Sequence, residues 1–108
     1  MAWTSLCDLT DLREDTGRYV EIGGFQLAVF LHDGRVYVID NRCPHAGANL
    51  AGGSIDQGCV VCPKHSWPFR LHDGQLRDTP GVGVDVYPVR LVQREGASTL
   101  VQADLPMY

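Results

Sequence analysis

Two short stretches of this 108-residue chain carry the side chains best suited to chemistry. Residues 41–50 read NRCPHAGANL, placing Cys43 and His45 on either side of Pro44. After sixteen intervening residues comes CPKHSWPF, in which Cys62 and His65 repeat the pairing with one more residue between them. Thiolate and imidazole are common metal ligands, so each arm offers one sulfur and one nitrogen. Structural zinc sites usually pair like with like on each arm, because a tetrahedral ion needs only four converging ligands. Cys59 and Cys62 form a Cys-x-x-Cys, so a zinc site of Cys43, Cys59, Cys62 and His65 can be drawn, but it leaves His45 without a role. A two-iron, two-sulfide cluster accounts better for mixed arms. Two facing loops can each reach both metal ends, Cys43 and Cys62 holding one iron and His45 and His65 the other. A Cys-His hydrolase or a redox thiol is a third chemistry open to these residue types. Pro44 and Pro63 directly follow the cysteines, where a fixed φ either presets the ligand loops or ends the preceding strand.

The elements that would position these arms read as strands. A chain of 108 residues supports one core, so a single domain spanning 1–108 is expected. Twelve glycines, six prolines and only 8% aromatic residues point to many short elements joined by tight turns, and hence to an all-β fold. Residues 18–22, 25–31 and 35–40 are rich in Val, Ile, Phe and Tyr and are separated by Gly23-Gly24 and Asp33-Gly34, giving a meander. The pattern fades over 41–58, resumes at 59–62 and 67–71, and returns in VGVDVYPVRLV and STLVQAD after the break at 79–81. Leu-His-Asp-Gly occurs at 31–34 and at 71–74, two copies of a turn and too few for a repeat array; His32 and His72 are read as solvated turn residues. Trp3, Phe25, Phe30 and Tyr37 are read as core, Cys59 and Cys7 as small buried hydrophobes. Trp67 and Phe69 are read as core packing or as a wall shielding the metal.

Charge and hydropathy narrow the function classes. The net charge is −4 with Lys64 as the single lysine, so no basic stripe exists to neutralise phosphates and no nucleic-acid partner is expected. No apolar run approaches the roughly 20 residues of a membrane span, and MAWTSLCDLTDL does not look like a secretion signal. A soluble, cytoplasmic protein with no membrane partner is expected, its cysteines serving as thiols or ligands and not as disulfides.

Cys43-Pro44-His45, the gap of sixteen residues and Cys62-Pro63-Lys64-His65 together resemble the signature of Rieske [2Fe-2S] proteins. The resemblance implies an antiparallel β sandwich with a small inserted cluster-binding subdomain, at about 41–80, and a [2Fe-2S] cofactor bound by Cys43, His45, Cys62 and His65. TPG around Pro80 corresponds to the family's third, proline-bearing loop over the cluster. Respiratory-complex members carry an extra disulfide-bonded cysteine in each ligand loop, which is absent here. Ser66 stands where glycine is usual, and Lys64 where an apolar residue is more common. Nearly the whole chain also resembles the small subunit of NAD(P)H-dependent nitrite reductase, through Trp3 with CDL at 7–9, QLAVF at 26–30, DGRVYVIDN from Asp33, FRLHDG from Phe69 and YPVR from Tyr87. Ferredoxins that feed aromatic-ring oxygenases are similar in size and strand order.

The resemblance implies a one-electron carrier with no bond chemistry of its own, exchanging electrons with a reductase and a terminal oxidoreductase. The small residues after His45 either suit close approach of a partner or simply fill a tight loop, and His45 and His65 are expected at the docking face. A zinc-stabilised binding module is the alternative outside redox chemistry, and it would be colourless. Trp67 and Phe69 occupy positions where respiratory-complex members place Ser and Tyr hydroxyls on the cluster. Losing those hydrogen bonds lowers the potential; Ser66 and Lys64 offset part of the effect without changing its direction. The expected midpoint lies toward the lower end of the roughly −150 to +300 mV Rieske range, and an EPR-monitored redox titration reads it directly.

Overall fold

The computed structural model describes residues 2–44, 47–64, 66–79 and 81–106. Among these, ten strands occur: β1 (Ala2–Asp8), β2 (Gly17–Ile22), β3 (Phe25–His32), β4 (Arg35–Asp40), β5 (Ser54–Asp56), β6 (Cys59–Val61), β7 (Pro68–Arg70), β8 (Val86–Tyr87), β9 (Val89–Val92) and β10 (Leu100–Leu105). Single 3-10 turns lie at Leu9–Asp11 and Leu50–Gly52. The strands form three antiparallel sheets, in the orders β1-β10-β9, β2-β3-β4-β8 and β5-β6-β7. The all-β expectation holds, and among the described residues no helix is long and apolar enough to cross a membrane.

Turn chemistry sets the hairpins. Gly23-Gly24 (φ +57° and +83°) joins β2 to β3, and Asp33-Gly34 (φ +53° and +77°) joins β3 to β4. Positive φ at both central residues gives the primed turn whose twist matches that of the flanking strands. Gln57-Gly58 (φ +51° and +77°) does the same between β5 and β6. That hairpin falls at the end of the stretch where alternation fades, so its first strand, β5, is an addition to the sequence reading.

Strand β3 is buried on both faces. Leu27 and Val29 point into one core with Val38 of β4 and with Val101, Ala103 and Leu105 of β10. Ala28 and Phe30 point into a second core with Ile39, Leu50, Val60, Phe69 and Leu71. The central sheet is therefore the middle of three layers, between β1-β10-β9 on one side and the β5-β6-β7 region on the other. Fully burying side chains of this size stabilises by about 1.5–3 kcal/mol each. Residues 86–92 close the sandwich along one side: Val86 and Tyr87 pair with β4, whereas 89–92 pair with β10. Pro88, which has no N–H to offer a ladder, marks the crossing, and its carbonyl accepts from the Asp104 N–H at 2.9 Å.

Two departures come from the chain ends. β1 was absent from the alternation pattern; it forms because it pairs with β10 at the other end of the chain, with a register shift between Ser5 and Cys7. Trp3, expected in the core, lies on the outer face of that sheet, 40% exposed, with the Arg90 guanidinium 4.4 Å over its ring. Phe30 is fully buried, while Phe25 and Tyr37 pack at the core edges.

One backbone contact ties the central sheet to the 41–52 segment. The carbonyl oxygen of Ala51 sits 2.2 Å from where a Cβ on Gly17 would stand, so only glycine lets β2 start this close to the Leu50–Gly52 turn. Gly17→Ala forces backbone apart and is expected to destabilise the protein by about 1–3 kcal/mol, as overpacking does. Thermal unfolding checks this, and a midpoint unchanged from wild type would mean that the contact holds nothing in place.

Candidate metal centre

The two cysteine arms have the same backbone frame. The Cys43 N–H donates to the Ala48 carbonyl (3.0 Å) and its carbonyl accepts from the Gly47 N–H (2.7 Å). The Cys62 N–H donates to the Trp67 carbonyl (2.9 Å) and its carbonyl accepts from the Ser66 N–H (2.9 Å). Each cysteine thus closes a loop between itself and the residue five places on, and the residue four places on is left-handed in both, Gly47 at φ +65° and Ser66 at +57°. Pro44 and Pro63 are the first residues inside these loops. Neither is in a strand; Pro63 follows the end of β6 by two residues and Pro44 follows the end of β4 by four. The histidines fall at the third and fourth places of otherwise equivalent loops. His45 and His65 themselves lie outside the described residues.

Both cysteines are 1% exposed and belong to one apolar cluster with Ala48, Val60, Phe69 and Leu76. Phe69 is core; Trp67 is half-buried and packs against the same cluster, as do Val82 and Val84 from the third loop. That loop is held by Leu76 N–H to the Val82 carbonyl (2.7 Å) and Val84 N–H to the Gly74 carbonyl (2.8 Å). Gly83, Val84 and Asp85 line a cleft of about 350 Å³ together with Asp40, Arg42, Cys43, Pro44 and Gly47, so the third loop runs beside the first ligand loop. Pro80 lies outside the described residues.

Asn41 anchors the first arm. It is the one buried polar or charged residue among those described. Its N–H donates to the Gln26 carbonyl of β3 (2.9 Å), its carbonyl accepts from the Leu50 N–H (2.8 Å) and its Oδ1 accepts from the Ala51 N–H (2.8 Å). A buried donor left without such a partner costs about 1–3 kcal/mol, so the carboxamide holds the returning end of the loop against the central sheet.

Cys59 is buried as expected, but on the other face of its strand from Val60 and Cys62, because side chains alternate along β6. Burial pushes its thiol pKa up while the nearby Arg77 and Arg70 pull it down. The four-ligand zinc arrangement with Cys59 is therefore not assembled. Cys7, half-buried on β1, has its thiol pKa raised chiefly by burial, and both it and Cys59 are free thiols. His72 is exposed. His32, expected to be solvated, instead faces the Asp15 carboxylate at 2.5 Å, and this hydrogen bond raises its pKa. Glu14, Asp15 and His32 form a group of possible metal-binding side chains on the surface, away from both cysteine arms in sequence.

The Rieske [2Fe-2S] domain pattern matches residues 2–88. The chain belongs to the Rieske [2Fe-2S] domain family. Among curated relatives, this Rieske chain is 38% identical over 80 residues to cholesterol 7-desaturase of Hemicentrotus pulcherrimus; the match covers 72% of the chain and 17% of that protein, so the chain spans a small part of the relative's length. Among solved structures it is similar to a chain assigned as an NADH-dependent nitrite reductase small subunit of Mycobacterium tuberculosis, 33% identical with a TM-score of 0.83, covering 98% of this chain and 97% of that one. It is also similar to a chain in the complex of reduced oxygenase and oxidized ferredoxin in carbazole 1,9a-dioxygenase, 27% identical with a TM-score of 0.76, covering 94% and 91%.

The family's cofactor is the [2Fe-2S] cluster, and the described residues fit it. Two thiols are carried at the mouths of two loops of matched frame, in one water-poor apolar cluster. Trp67 and Phe69, beside the second cysteine, carry no hydroxyl.

Sequence reasoning gave no role to Asn41 or Gly17, and treated Ser66 as a departure from glycine that offsets part of the fall in potential, without a part in the loop's backbone. The signal for Ser66 was present in the spacing: aligning the loops on their cysteines places it opposite Gly47. Left-handed backbone costs an L-residue about 1–2 kcal/mol. Glycine at 66 removes that cost but adds freedom to the unfolded chain, whereas a β-branched residue tolerates the conformation least. Ser66→Gly is expected to leave stability within about 1 kcal/mol of wild type, and Ser66→Val to lower it by about 1–2 kcal/mol with loss of bound iron. Urea unfolding and visible absorbance of the two variants test the pair.

Proposed function

We propose that this chain is a one-electron carrier whose cluster is bound by Cys43 and Cys62 on one iron and by His45 and His65 on the other, with residues 41–80 as the cluster-binding subdomain of a single domain, 1–108. The observation that carries this reading is the pair of buried cysteines opening loops of identical hydrogen-bond frame. The cluster supplies reversible storage of one electron. The residues around it do the rest. The loop frames fix where each thiolate points, Asn41 and Gly17 hold the first loop on the central sheet, and Val60, Phe69 and Leu76 keep water from the sulfur side. With every iron position taken by sulfide and protein, bond chemistry is left to a partner.

The role we favour is that of a nitrite reductase small subunit, supported by 33% identity and near-complete mutual coverage with a structure so assigned. The second reading is the ferredoxin component of an aromatic-ring-hydroxylating oxygenase system, supported by the likeness to a chain in the carbazole 1,9a-dioxygenase complex. Either role calls for a reductase and a terminal oxidoreductase as partners. A cytoplasmic setting agrees with the free thiols at Cys7 and Cys59. The dithionite-reduced protein should give a low-temperature rhombic EPR signal with average g below the free-electron value, and His65→Ala should remove or convert it. A colourless, zinc-loaded, EPR-silent protein, or an unchanged spectrum in His65→Ala, would overturn the ligand assignment.

A further inference from the structure

The charge on this chain is unevenly distributed. Residues 41–72 contain Arg42, Lys64 and Arg70 against Asp56 alone, while the rest of the chain contains six cations and twelve carboxylates. Placement sharpens the contrast. Asp56 sits at the β5–β6 turn, the opposite end of that hairpin from Cys62, about 10 Å away at strand rise. Arg70 is neutralised by Asp73, at 2.8 Å. Lys64, the single lysine, is exposed inside the second ligand loop, and Arg42 is exposed immediately before Cys43 in the first. Among the described residues neither is paired with a carboxylate, although Asp40 and Asp85 share a cleft with Arg42 and weaken its field. Lys64 has no such neighbour in its loop, where 57–72 holds no acidic residue.

We propose that the tip formed by the two ligand loops is a locally cationic docking surface, centred on Lys64 of the second loop and joined by Arg42 at the start of the first, which selects a redox partner with a carboxylate-rich face. This rests on the electron-carrier reading above. A cationic tip on an anionic body gives the molecule a dipole, so an acidic partner is steered to the electron exit while the body is turned away. The reduced cluster, with two thiolates, two sulfides and one ferrous iron, carries about one negative charge, which two exposed cations outweigh.

Small oxidants of opposite charge read the local field. Reduced protein, freed of excess reductant, is mixed in stopped flow with hexacyanoferrate(III) or with tris(phenanthroline)cobalt(III); one electron leaves the cluster and Fe(III) or Co(III) becomes Fe(II) or Co(II). The hexacyanoferrate rate is expected to fall several-fold from low to high ionic strength and the cobalt rate to rise, the reverse of what a net charge of −4 dictates. Lys64→Glu should lower the low-salt hexacyanoferrate rate at least about threefold after correction for its measured midpoint, Arg42→Glu less, and Arg35→Glu, an equal change in net charge at the far β3–β4 turn, should leave it near wild type. Titration with redox-inert hexacyanocobaltate(III), followed by amide chemical shifts, should perturb Arg42 and Lys64 in wild type and not in Lys64→Glu. A hexacyanoferrate rate that climbs with salt, or an Arg35→Glu effect equal to that of Lys64→Glu, overturns the proposal. A protein with no reducible cluster overturns the electron-carrier reading instead, and the anion titration still decides whether the tip is cationic.

Discussion

The middle of strand β3 has no solvent face, and the rest of the architecture answers that constraint. Its run of four fully buried residues, Leu27 to Phe30, must be covered on both sides. One cover comes from the two chain ends, β1 and β10, joined by β9; the other comes from the insertion that holds the cysteines. Packing of the cysteine-bearing region is therefore a condition of the central sheet's stability. Leu50, Val60 and Phe69 bury against Ala28, Phe30 and Ile39 in the same cluster as Cys43 and Cys62. The arms stand on the protein's main core, which gives them the rigidity that an electron carrier needs to keep reorganisation small.

Within that frame the first arm is held by polar contacts and the second by a hairpin. Asn41 joins the first loop to β3 through backbone and side chain, and Gly17 brings β2 up against the loop's return. The second loop is the connection between paired strands β6 and β7, so its ends are fixed by ladder hydrogen bonds. Different supports nevertheless produce one frame around each cysteine. The loop geometry follows from the cysteine carbonyl accepting from the residue four places on, which requires a left-handed residue there and makes glycine or a strained substitute necessary.

Charge follows the same division. Carboxylates concentrate outside residues 41–72, many of them at turns, where Asp8, Asp15 and Asp73 find Arg94, His32 and Arg70. The ligand loops are nearly free of them. Exposed pairs of that kind contribute little to stability, so their arrangement bears mainly on the field that an approaching molecule meets.

Much of this was legible in the sequence because it depends on local chemistry. Glycine pairs announce primed turns, alternation announces β2, β3 and β4, and a cysteine two or three residues from a histidine sets which ligands one loop can offer. The relation between distant segments was not legible. β1 pairs with a strand nearly a hundred residues later, which no local pattern encodes. Trp3 lies outside the core because the covering face of its sheet is supplied by Val101, Ala103 and Leu105, leaving the ring to Arg90. The part played by Asn41 depends on Gln26 and Ala51 converging on it, and Cys59 is separated from Cys62 by the pleat of a three-residue strand. The sequence by itself determined the donor set and its spacing, since those are properties of residues close along the chain. The tertiary structure alone decided which thiols share one apolar cluster and what holds the loops in place, because packing brings together residues that the chain keeps apart.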